Sequence, residues 1–88
     1  MIYERKIAKF LLKNFEQINL LKENWGESSN NIKFKTKLLK LWAKKEGLRL
    51  DSINENFEFY FILDEKTTAT LELLETAIKI TIDYNVSE

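Results

Sequence analysis

The stretch Phe57-Glu58-Phe59-Tyr60-Phe61-Ile62-Leu63 constrains this chain more than any other. Phe57, Phe59, Phe61 and Leu63 fall on one side of an extended backbone, and Glu58, Tyr60, Ile62 and Asp64 on the other. A period of two belongs to a half-buried strand, because successive side chains point to opposite faces. Three rings on one face need an apolar surface to pack against, and the rest of the chain has to supply it.

Residues 2–24 read as a long amphipathic helix, with Tyr3, Ile7, Phe10, Leu11, Ile18 and Leu21 at spacings of three and four. Glu4 suits its first turn, and Gly26 is placed to stop it. Asn14 falls inside the apolar stripe, where it either needs a hydrogen-bond partner or bends the helix. Leu12 and Leu20 lie off the stripe. The Gly/Ser/Asn-rich segment from Trp25 to Asn31 is a loop, with Trp25 as a core anchor and Asn30 or Asn31 as N-cap of the next helix. That second helix covers 32–46, with Phe34, Leu38 and Leu41 as its apolar stripe, Trp42 beside it, and Gly47 as C-terminal stop. Lys33, Lys37, Lys40 and Lys44 form a narrow row at about 100° per residue, away from Phe34 and Leu38. Lys6, Lys9 and Lys13 are a looser counterpart on the first helix.

The remainder reads as strands over about 48–52, 56–63, 67–73 and 77–84. Leu48 and Leu50 point inward in the first, Ile53-Asn54-Glu55-Asn56 turns into the second, and Asp64-Glu65-Lys66-Thr67 forms a hairpin turn. Ala69, Leu71 and Leu73 alternate with threonines, and Ile78, Ile80, Ile82 and Tyr84 alternate with Lys79, Thr81 and Asp83. Leu71, Leu74 and Ile78 also fit a helical face, but β-branched threonines and strict alternation favour a strand up to Leu73. The expected fold is α+β: one domain, 1–88, with two N-terminal helices on one face of a C-terminal antiparallel meander of three to four strands.

The residue types that are missing narrow the chemistry. Without His or Cys there is no imidazole base, no thiolate nucleophile and no disulfide framework. The only glycines, Gly26 and Gly47, form no phosphate-cradling loop, so no catalytic, cofactor or metal site is expected. No apolar run is long enough to span a membrane and no signal-peptide pattern opens the chain, which points to a cytoplasmic protein. The abundance of Lys, Asn, Ile and Glu points to an AT-rich microbial source.

The net charge of zero conceals a division: residues 1–50 carry twelve basic and five acidic groups, residues 51–88 two basic and nine acidic. Such polarity points to charged partners or to self-association. The reading that follows is a small non-enzymatic binding protein that occupies a site on a larger protein or nucleoprotein. An inhibitor or anti-defence protein of anti-CRISPR or immunity type is its concrete form. The alternative is a nucleic-acid-binding accessory protein using Lys33, Lys37, Lys40 and Lys44 together with Lys6, Lys9, Lys13 and Arg49, with a homodimer as the form that would extend this basic surface. Glu58, Tyr60, Ile62 and Glu72 on the open sheet face form a candidate protein interface.

Overall fold

The computed structural model describes residues 2–84. Three helices, α1 (Ile2–Lys13), α2 (Phe15–Lys22) and α3 (Ser29–Lys45), precede four strands, β1 (Arg49–Ile53), β2 (Phe59–Asp64), β3 (Thr67–Leu73) and β4 (Ile78–Tyr84). The strands form one antiparallel sheet in the order β1-β2-β3-β4, and the α+β meander expected from the sequence is the fold. The segment 67–78 resolves as strand and turn, closed by a bond from the Leu74 N–H to the Ala77 carbonyl.

The expected long first helix is two. Asn14 adopts φ −118°, ψ 22°, outside the helical range, and its side-chain N–H donates to the Phe10 carbonyl at 2.8 Å. The same carbonyl accepts from the Asn14 backbone N–H at a longer 3.3 Å, so side chain and backbone share one acceptor where the helix bends. α1 buries Ile7, Phe10 and Leu11, and α2 buries Ile18. The stop after α2 is Asn24 in the left-handed region at φ 59°, not Gly26.

α3 begins three residues earlier than expected because Ser28, not Asn30 or Asn31, is the N-cap; its hydroxyl accepts from the Asn31 N–H at 3.1 Å. Gly47 ends the segment at φ +75°, as its position implied. The orientation of α3 differs from expectation. Leu39 and Ala43 are buried, with Ile32 and Trp42 packed beside them, while Phe34 and Leu41 face solvent.

The sheet follows the alternation as far as Ile62; a register shift then leaves Leu63 out of the β2 ladder and pairs Asp64 with the buried Thr67, so Asp64 lies on the helix side and not, as expected, beside Glu58, Tyr60 and Ile62. Phe57, Phe59 and Phe61 are buried, and Phe10 meets Phe59 and Phe61 edge-on at 6.3 and 5.9 Å between ring centroids. Phe57 precedes β2 in the left-handed region at φ 60°, which shortens the expected strand, yet its ring still packs on Trp25 at 4.8 Å and Phe59 at 4.9 Å. A register shift between Leu50 and Ser52 sets Asp51 out of the β1 ladder, so Ile53, expected in the turn, is buried beside Leu50. On the helix side the cover thins towards β4. None of its seven described residues is buried.

Candidate functional site

Lys33, Lys37, Lys40 and Lys44 do share the solvent face of α3, and among the described residues none of them enters an ion pair. The neighbours of the row are the correction. Phe34 is 63% exposed and Leu41 58% exposed, and they stand two helical turns apart on one line beside the lysines. The face is therefore a lysine row flanked by an apolar strip, not a purely charged row remote from the apolar residues. Lys37, Lys40, Leu41 and Lys44 line one shallow apolar hollow. Phe34, Lys33, Lys37 and Ile53 contribute to an open groove between α3 and β1, with Asp51 on its far side.

The other basic residues do not join this face as one surface. Lys13 forms an ion pair with Glu46 at 3.2 Å, and Lys6 lies beside Gly47 at the end of α3. Arg49 sits in β1 opposite Ile62, on the open side of the sheet, and shares a concavity with Tyr3, Lys6 and Asp64. Lys9 is exposed on α1. The sequence pattern missed Lys35, which is structural: its ammonium donates to the Leu21 and Glu23 carbonyls, both at 2.9 Å, and so caps the end of α2. Its position between Lys33 and Lys37 gives no sign of this role, which depends on where α2 stops.

On the open sheet face, Glu58, Tyr60 and Glu72 are brought together around Asn54, a residue the sequence marked only as a turn. The Asn54 side-chain N–H₂ donates to Glu58 Oε1 at 2.6 Å and to the Tyr60 hydroxyl at 2.9 Å. Its carbonyl oxygen accepts from the Asn56 and Glu58 N–H groups. The Asn54 amide, then the Glu72 carboxyl, the Tyr60 hydroxyl and the Lys79 ammonium, hold the Glu58 carboxyl below the ordinary glutamate value. Lys79 lies 3.9 Å from Glu72, so one cation faces two carboxylates and the hydrogen-bonded patch keeps a net negative charge. Ile62 lies further along β2, opposite Arg49 and Thr68. This arrangement fixes the β1–β2 turn.

Among the described residues no group of three or more acidic, His or Cys side chains is arranged to hold a metal ion, and no helix is long and apolar enough to cross a membrane. No protein-family model, no curated protein and no solved structure matches the chain.

Proposed function

We propose that this chain is a small non-enzymatic binding protein whose α3 face engages an acidic, apolar-studded surface of a larger protein or nucleoprotein, as an inhibitor or anti-defence protein would. One observation carries the reading: Phe34 and Leu41 are exposed alongside Lys33, Lys37, Lys40 and Lys44. An aromatic anchor and an aliphatic side chain give a partner apolar area to bury, and the ammonium groups select negative charge around it. Ile2, Leu12 and Leu20 are at least as exposed, and what sets Phe34 and Leu41 apart is their alignment on one line beside four lysines.

The experiment compares wild type, Phe34→Ser/Leu41→Ser and Lys37→Glu/Lys40→Glu as immobilised baits in microbial lysate. A partner retained by wild type and lost by both variants supports the reading. A partner retained equally by all three overturns this face as the site.

The second reading is direct contact with nucleic acid, favoured by four exposed lysines tracking one helix face. Titration of labelled single- and double-stranded DNA and RNA between about 50 and 200 mM salt separates the two. Binding that collapses with salt and survives Phe34→Ser/Leu41→Ser favours nucleic acid.

A further inference from the structure

β4 is the outer strand of the sheet, and no described residue pairs with its free edge. Proteins usually blunt such an edge with a bulge, a proline or a very short strand. β1, the opposite edge, has five residues and the register shift that displaces Asp51. β4 has seven residues, pairs with β3 without a break from Ile78↔Leu73 to Tyr84↔Thr67, and carries Ile, Thr and Tyr at five of them. Among the described residues β4 has none of these three, and the charges that can also blunt an edge are limited in it to Lys79 and Asp83.

Its apolar face is also incomplete. Ile80 and Ile82 stand opposite Leu71 and Ala69, which are buried, and so belong to the helix-covered side of the sheet. Yet Ile80 and Ile82 are only partly buried, and Ile78 and Tyr84 at the strand ends are each 48% exposed. The helices stop short of covering them.

We infer that β4 pairs antiparallel with β4 of a second copy of this chain, about a two-fold axis at Thr81. The order Ile78-Lys79-Ile80-Thr81-Ile82-Asp83-Tyr84 is complementary to itself when reversed. Thr81 meets Thr81, Ile80 meets Ile82, and Ile78 meets Tyr84. Lys79, which lies 3.9 Å from Glu72 of its own copy across the ladder, meets Asp83 of the second copy on its other side, and the axis repeats that arrangement. Opposed residues of an antiparallel pair share a face, so like meets like on both sides of the joined sheet. The result is one eight-stranded sheet with the helices of both copies on the same side and the two isoleucine rows side by side in the gap between them. Moving the axis to Ile80 would set Lys79 against Thr81 and Asp83 against Ala77, leaving both charges unmatched. The charged pair thus selects both the register and the occupant, a second copy rather than an arbitrary strand.

Sedimentation equilibrium on wild type, Lys79→Asp, Asp83→Lys, the double variant and an equimolar mixture of the two single variants tests this. Wild type is expected to dimerise, and each single variant to dissociate with a constant raised about tenfold or more, since two like-charge pairs replace two opposite ones. The double variant restores the pairs within a homodimer, and the mixture restores them in a heterodimer, which also shows that both single variants are folded. A wild type that is monomeric at about 0.5 mM overturns the inference. So does a dimer whose strength is the same in all five samples.

Discussion

The indole N–H of Trp25 donates to the backbone carbonyl of Asn54 at 2.8 Å, tying the loop after α2 to the turn between β1 and β2. The ring beneath that bond packs edge-on against Phe57, so one side chain supplies both apolar area and a directed polar link between the helical and sheet halves. The same Asn54 uses its side chain to organise Glu58 and Tyr60, so the turn is held from both faces.

Trp25→Phe keeps most of the packing and leaves the Asn54 carbonyl without its indole donor. It should cost about 1 kcal/mol, whereas Trp25→Ala should cost about 3–5 kcal/mol. Urea denaturation followed by circular dichroism measures both. Equal losses would mean that the hydrogen bond, not the ring, carries the effect.

The outward orientation of α3 makes a paired prediction. Phe34→Ser and Leu41→Ser should change stability by no more than about 0.5 kcal/mol, as exposed substitutions do. Leu39→Ala, on the buried side of the same helix, should cost about 2–5 kcal/mol. Thermal unfolding of the three variants decides which face is inside.

Lys35 and Lys37 are two residues apart and have different roles. Lys35→Met removes an ammonium that serves two carbonyls at the end of α2 and should destabilise by about 1–3 kcal/mol. Lys37→Met should be close to neutral in the same denaturation assay, because its side chain is exposed and forms no ion pair among the described residues.

Tyr3 and Asp64 predict a pH profile with two shoulders. The Lys66 N–H, followed by the Tyr3 hydroxyl and Thr67, holds the Asp64 carboxyl below its ordinary value. The hydrogen bond to Asp64 at 2.8 Å, followed by desolvation and the Asp64 charge, raises the Tyr3 phenol. A depressed carboxyl contributes stability that is present above its unfolded value and lost as pH falls through the folded one. A raised phenol contributes stability that is present below its unfolded value and lost as pH rises through the folded one. Tyr3→Phe should remove the alkaline shoulder and move the acid shoulder towards the ordinary aspartate value, as measured by denaturation midpoints across pH.

Asn54→Ala should move the Glu58 titration upward, towards the ordinary glutamate value, because it deletes the largest contribution to its depression. A carbon-detected NMR titration of the Glu58 carboxyl reads this directly. An unchanged midpoint would assign the depression to Glu72, Tyr60 and Lys79 instead.

The sheet was legible in the sequence because strand faces obey a period of two that one buried side makes strict. Phe59, Phe61, Ala69 and Leu71 all lie inside as that period requires, Phe57 is buried from outside the strand, and Trp25 is the core anchor its place beside a glycine implied. Three points depended on tertiary structure. Asn14 was visible as a conflict in the stripe, but of its two outcomes, a partner or a bend, the structure takes both: its amide bonds the Phe10 carbonyl and its backbone leaves the helical range. Lys35 became a cap because α2 ends where its ammonium can reach. The rotation of α3 was the largest difference, since apolar residues occupy two sides of that helix: Phe34, Leu38 and Leu41 on one, Ile32, Leu39, Trp42 and Ala43 on the other. Periodicity records that a helix has an apolar side, and where two compete the choice falls to whichever fits the surface already built. Here that surface is the sheet carrying Leu50 and Ile53, which takes Leu39 and Ala43 and leaves Phe34 and Leu41 to the solvent beside the lysines.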